Sequence, residues 1–172
     1  MIALITGGSG SGKSDYAERL AASLEAEERI YLATMQIFDA ESVRRVERHR
    51  QQRAGRGFVT LECPLDIASA GIPADSAVLL EDLPNLLANE MFDPSGNPGR
   101  ILPGIEILGR KCRHLVIVTN EIFSDGAAYA PSTAGYIRRM AELNRAIAQM
   151  ADCVAEVVYS IPVAVKGDRI CI

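Results

Sequence analysis

Ile2-Ala3-Leu4-Ile5-Thr6-Gly7-Gly8-Ser9-Gly10-Ser11-Gly12-Lys13-Ser14 follows directly on Met1. Ile2 to Thr6 is a short apolar run and reads as a buried strand. Gly7 to Ser14 fits G-x-x-x-x-G-K-[ST]. Beyond it Ala17, Leu20, Ala21 and Leu24 recur at helical spacing, so Ser14 to Glu25 reads as a helix. Strand, glycine loop and helix in that order make a phosphate-binding loop, where a ligand-free glycine turn would not need both flanks. The glycines let the backbone wrap closely, so that N–H groups face phosphate oxygens, and the helix N-terminus adds partial positive charge. Gly7, Gly8, Ser9, Gly10, Ser11, Gly12, Lys13 and Ser14 are therefore expected to contact a nucleotide. Lys13 is expected to reach the β- and γ-phosphates and to stand exposed to ligand, not packed. The Ser14 hydroxyl is expected to bind Mg²⁺.

Outward from the loop, strands and helices alternate. Arg29 to Met35, Phe58 to Glu62, Ala77 to Asp82 and His114 to Thr119 read as strands, and Val154 to Val165 as one or two more. Ala40 to Arg53, Leu83 to Met91, Ile101 to Arg110 and Ser132 to Asp152 read as helices, although Pro103 and Gly104 blur the start of the third. Asp93 to Gly99 reads as a surface loop. The pattern predicts an α/β fold like that of P-loop NTPases: a mostly parallel sheet, helices on both faces, and ligands at the carboxyl ends of the strands.

The chain of 172 residues is 48% hydrophobic and 23% charged, and is expected to fold as one domain over residues 1–172. Its net charge of −4 argues against a nucleic-acid partner. Cys63, Cys112, Cys153 and Cys171 form no CxxC pair, which supports neither a zinc site nor a redox motif and suits a reducing cytoplasm. No apolar run is long enough for an integral membrane segment.

Two further clusters carry chemistry. Val78-Leu79-Leu80-Glu81-Asp82 is an apolar strand ending in two acids. In P-loop enzymes an acid there holds Mg²⁺, which makes Glu81 a candidate metal or nucleotide residue, while Asp82 could instead cap the next helix. Among only two histidines, His49 lies in a basic helical stretch, with Arg45 and Arg53 one turn to either side on the same face. Those guanidinium groups could bind phosphates and keep the imidazole neutral, hence nucleophilic. An ordinary solvated helix face explains the pattern equally well. His114 opens an apolar strand and reads as structural.

These residues, in this order and spacing, resemble the bifunctional adenosylcobinamide kinase/adenosylcobinamide-phosphate guanylyltransferase family. The resemblance runs from Ile5-Thr6-Gly7-Gly8 through Ala17-Glu18, Tyr31-Leu32-Ala33-Thr34, Asp39 and Glu41. Arg45, His49-Arg50 and Arg53 are similar to the family's R-hydrophobic-x-x-H-R-x-x-R. Phe58, Thr60 and Glu62 are similar to its W-x-T-x-E. Leu79-Leu80-Glu81 with Asn89, Val118-Thr119-Asn120-Glu121, and Asn144, Ala148 and Ala151-Asp152 continue it.

The resemblance implies two reactions. The γ-phosphate of ATP or GTP passes to the hydroxyl of adenosylcobinamide. A histidine, here His49, attacks the α-phosphorus of GTP, releases pyrophosphate and hands GMP to adenosylcobinamide phosphate. It also implies nucleotide contacts at Ala33, Thr34, Met35, Arg50, Gln51, Gln52, Arg53, Glu62 and Glu81, Mg²⁺ at Ser14 and Glu81, and a homo-oligomer, commonly a trimer. The chain departs from the family at Ile122 to Pro131, where V-G-x-G-I-V-P is usual, and at Ser160-Ile161-Pro162, where Gly-Ile-Pro is usual. A kinase-only enzyme acting on another small molecule and a non-enzymatic NTP-binding module remain the competing readings.

Overall fold

In the computed structural model, which describes residues 1–36, 55–123 and 128–167, β1 (Ile2–Thr6) lies within a seven-stranded sheet. Its neighbours β5 (His114–Val118) and β6 (Cys153–Val158) both run parallel to it. β2 (Glu28–Ala33), β3 (Phe58–Glu62) and β4 (Ser76–Glu81) extend the parallel sheet, and β7 (Ile161–Lys166) adds an antiparallel edge to β6. The order is β3-β2-β4-β5-β1-β6-β7.

The central strands read as continuous apolar runs because both of their faces are covered. Alternate residues feed two cores. Tyr16, Ala17, Leu20 and Ala21 of α1 (Lys13–Ser23) pack on Ala3, Ile5, Leu79, Val116 and Val118. On the opposite face Leu4, Val78, Leu80, Leu115 and Ile117 meet α2 (Leu83–Phe92), α3 (Ile101–Lys111) and α4 (Pro131–Met150). The expected layered α/β architecture is what forms. Cys63, Cys112 and Cys153 are buried in these cores.

Several boundaries shift for identifiable reasons. β4 ends at Glu81, one residue early, because Asp82 leaves the strand to cap α2, its carboxylate accepting the Asn85 N–H at 2.8 Å. Pro103 does not blur α3. It falls in the first turn, where its missing N–H would have had no helical partner. α4 stops at Met150, and the Asp152 carboxylate instead accepts the Ile2 N–H at 2.6 Å. The last segment resolves into two strands joined by Tyr159 and Ser160, with φ of 51° and 63°. The expected helix from Ala40 to Arg53 lies outside the described residues.

Candidate active site

Parallel pairing brings the carboxyl ends of six strands to one edge. Ala33 pairs with Glu62 on one side and with Glu81 on the other, while Leu80 pairs with Ile117 and Ile5 with Val118. The strand ends therefore lie nearly level, with Thr34, Asp82, Thr119 and Gly7 just beyond them. At ~4.8 Å per strand, β4 lies about 10 Å from β1 and β3 about 19 Å from it.

The glycine loop sits over the end of β1. Gly12 precedes α1 with φ 88°, and a Cβ there would strike the Ser160 hydroxyl, so only glycine fits. Gly12 O accepts the Tyr16 N–H, and Gly8 O accepts the Ser11 N–H at 3.2 Å, which closes the loop on itself. Ser9 and Gly10 form its exposed tip, Gly7 is buried, and Gly8, Ser11 and Ser14 are half-buried. The neighbouring segment is tied on through the Glu121 N–H, which donates to Gly7 O at 3.2 Å.

Lys13 corrects an expectation. It is buried, at 9% exposure, and its ammonium folds back to donate to Gly8 O at 3.1 Å. Burial lowers its pKa, while the Asp82 and Glu81 carboxylates pull it back up. The lysine thus stands between the loop and the acidic end of β4, where a terminal phosphate must lie for both to act on it. Asp82 is held above the ordinary carboxylate range by burial, against the opposing pull of its Asn85 bonds and of Lys13. Asp82 does cap the helix, and it also faces the lysine, a second role the strand pattern did not reveal.

The crevice floor is cross-linked. The Thr34 hydroxyl donates to Asp82 O and accepts the Asp82 N–H, both at 2.8 Å. The Thr34 N–H donates to Glu81 O, and Thr34 O accepts from the Asn89 amide at 2.7 Å, which also reaches Pro64 O. Every polar group of Thr34 is engaged and its surface is buried, so it ties the end of β2 to Asp82 and Asn89. Ala33 closes β2, half-buried Met35 follows Thr34, and Glu62 stands exposed at the end of β3. His49, Arg50, Gln51, Gln52 and Arg53 lie outside the described residues, as does Arg45. His114 starts β5 at the opposite end of the sheet from the crevice.

Between the loop and the acids, β5 contributes groups that sequence reading quoted without giving them a role. The Thr119 hydroxyl donates to Asn144 Oδ1 at 2.8 Å, and the buried Asn120 Oδ1 has no hydrogen-bond partner among the described residues. The signal was available in Val118-Thr119-Asn120-Glu121, a polar block at a strand end, but its position beside the loop depends on β5 inserting between β1 and β4.

A loop of this form over a parallel sheet, with its lysine facing paired acids, defines a P-loop nucleotide-binding enzyme. The chain belongs to the cobinamide kinase/cobinamide phosphate guanyltransferase family, whose model matches residues 3–165. It is 33% identical to the bifunctional adenosylcobalamin biosynthesis protein CobU of Salmonella typhimurium, over 96% of this chain and 100% of that one. It is 32% identical to CobP of Pseudomonas aeruginosa, covering 96% and 97% of the two chains. CobU of Escherichia coli K12 matches at 32% identity over 96% and 100%. Among the described residues no helix is long and apolar enough to cross a membrane.

Proposed function

We propose that residues 1–172 act as one catalytic domain that phosphorylates adenosylcobinamide and transfers GMP from GTP to adenosylcobinamide phosphate. The observation that carries this reading is the placement of Lys13 between Gly8 and the Glu81–Asp82 pair. A γ-phosphate lodged there meets the ammonium on one side and oxygen donors on the other. In the kinase step the substrate hydroxyl attacks the γ-phosphorus of ATP or GTP in line, and the nucleoside diphosphate leaves. Ser14 and Glu81, with Asp82 beside them, are hard oxygen donors that suit Mg²⁺ held jointly with phosphates. Mg²⁺ held there would neutralise phosphate charge, while Lys13 and the loop orient the triphosphate.

For the second step we assign His49 as the nucleophile on the α-phosphorus of GTP, with pyrophosphate leaving and GMP held through a P–N bond. Arg50, Gln51, Gln52, Arg53, Glu62, Ala33, Thr34 and Met35 are its proposed nucleotide contacts. The phosphate of adenosylcobinamide phosphate then displaces the histidine. A setting in the cytoplasm, where GTP and ATP are at hand, fits both steps, and a net charge of −4 fits a small-molecule substrate better than nucleic acid.

Self-association is proposed through β7. Ile161, Val163 and Val165 point to one face of this edge strand and are 65%, 49% and 64% exposed. Such a stripe on an unpaired edge suits a second copy of the chain. Val163→Lys should lower the sedimentation coefficient toward that of a monomer.

The test of the covalent step is incubation with α-labelled GTP and Mg²⁺, then denaturation. Label that is acid-labile, base-stable and absent from His49→Ala supports the histidine. A wild type that never labels yet phosphorylates adenosylcobinamide would make the protein a kinase alone.

A further inference from the structure

The pairing of β5 with β1 runs on past the end of the strand. The Leu115, Thr119 and Glu121 N–H groups donate to Met1, Ile5 and Gly7 O at 2.9, 2.9 and 3.2 Å. Bonds that advance by two residues on both strands are the ladder of a parallel pair. The backbone beyond Val118 therefore stays extended, and its side chains go on alternating between the two faces of the sheet. Leu115 and Ile117 face the core under α2, α3 and α4, while Val116 and Val118 face α1. Thr119 keeps to the first face, with its hydroxyl on Asn144 of α4. Asn120 accordingly turns to the second, which carries α1 and the phosphate-binding loop. The register of Ile5 with Val118 sets Asn120 beside Gly7, one strand spacing or ~4.8 Å away. Glu81 points to this face as well, two residues on from Leu79 in β4.

The order β4-β5-β1 thus places Asn120 between the loop and Glu81. In P-loop enzymes the terminal phosphates lie between the loop lysine and an acid at a neighbouring strand end. Asn120 forms the floor of that gap. Its backbone is held from the other face, where Asn144 Nδ2 donates to Asn120 O at 3.5 Å. Its side-chain Oδ1 is buried and has no hydrogen-bond partner among the described residues. A buried acceptor without a donor costs the free protein stability, so its presence calls for a reason. An ionised triphosphate supplies only further acceptors. The substrate hydroxyl supplies a donor.

We propose that Asn120 Oδ1 accepts a hydrogen bond from the substrate hydroxyl that attacks the γ-phosphorus, an inference that rests on the kinase reading of the loop. The bond holds the hydroxyl oxygen against the phosphate and leaves a lone pair free for attack. The new bond from that oxygen to phosphorus forms as the bond to the bridging oxygen of the nucleoside diphosphate breaks. The proton is released to water, because an amide is not a base. Asn120 orients the nucleophile and does not deprotonate it.

Asn120→Leu keeps the volume of the side chain and removes its polar end. Its single-turnover rate of adenosylcobinamide phosphorylation should fall about 10²-fold, as misplacing a reacting group does. Its affinity for β,γ-imido-ATP with Mg²⁺ should equal that of wild type, since neither contains the hydroxyl. The melting temperature of the free protein should hold or rise, because an unmet acceptor is gone. Asn120→Ser, which keeps an oxygen, should recover part of the rate. Asn120→Ala reads the same split where leucine does not fit. A full rate in the Leu and Ala variants overturns the proposal. So does nucleotide affinity that falls in step with the rate, which would put Asn120 on the nucleotide or its ion. A lower melting temperature in both variants would make the oxygen a structural acceptor and overturns it too. A wild type that binds the analogue yet leaves adenosylcobinamide unphosphorylated overturns the kinase reading itself, and this assignment with it.

Discussion

Lys13 and Asp82 show how a few buried charges prepare a site. The lysine ammonium has lost much of its water and, without ligand, has one carbonyl bond and two nearby carboxylates in compensation. That cost falls on the free protein and is relieved when phosphate oxygens arrive. Lys13→Ala is therefore expected to cut both transferase rates roughly 10²–10³-fold, as removal of a charge-stabilising donor does, without lowering the melting temperature of the free protein. Parallel assays of rate and thermal unfolding check this, and full rates in the variant would refute the assignment. Asp82 makes a pH-dependent case. Its folded pKa is raised, chiefly by burial, so the folded state favours the protonated form. As pH rises from ~4, the unfolded value, through the folded value, ionisation costs the wild type stability. Asp82→Asn keeps an oxygen for the Asn85 N–H and carries no charge. Its melting temperature should match wild type at low pH and exceed it increasingly as pH rises. A constant difference across that range would show that Asp82 is not the titrating group.

Among the elements, α2 does the most to bind the crevice together. It starts at Asp82, clamps the ends of β2 and β3 through Asn89, and ends beside Glu90. Glu90 is only 2% exposed, yet it accepts the Asp66 and Asn97 N–H groups at 2.8 Å each and pairs with the Arg100 guanidinium at 2.8 and 3.0 Å. Burial alone would raise its pKa, but these donors hold it below the ordinary carboxylate range. Its contribution is present above ~4.3, the unfolded value, and is lost as pH falls from there through the folded pKa. Removing one partner of a buried pair costs about 3–5 kcal/mol, so Glu90→Ala should lower the urea midpoint strongly at pH 7 and much less below pH ~4. None of this was visible in the sequence, where Glu90 is one more acid in a helix. What was legible followed from local chemistry: the apolar runs of β1, β4 and β5, the loop from Gly7 to Ser14, and the helical pattern of Ser132 to Asp152 that forms α4. What was not legible depended on long-range pairing. The order β4-β5-β1 sets Asn120 beside the loop, and the hairpin return of β7 sets Ser160 on Gly12. Proximity of that kind depends on strand order, which no window of residues encodes.

At the scale of the whole molecule, the sheet couples ligand binding to global stability. The loop, the β5 block and the acids all hang on neighbouring strands of one sheet, so a ligand that bridges them holds β1, β5 and β4 together. Mg²⁺ by itself has little to hold. Among the described residues no cluster of three or more His, Cys, Asp or Glu could hold a metal ion. Asp82 already accepts the Asn85 N–H, and its ionisation is disfavoured by burial. Mg²⁺ loses its water reluctantly and binds proteins through one or two carboxylates together with substrate phosphates. The ion is thus expected to bind only with a nucleotide. A ligand at 100 times its Kd stabilises the folded state by ~2.7 kcal/mol, which for a chain of this length raises Tm by about 5–11 °C. Millimolar Mg²⁺ alone should move Tm by less than about 1 °C, nucleotide with EDTA by an intermediate amount, and the two together by the full shift. A shift of several degrees with Mg²⁺ alone would reveal a preformed metal site and move the ion's ligands away from the nucleotide. A full shift from nucleotide without metal would leave Lys13 and the loop as the whole of the binding site, with Ser14 and Glu81 acting only on the reacting phosphate.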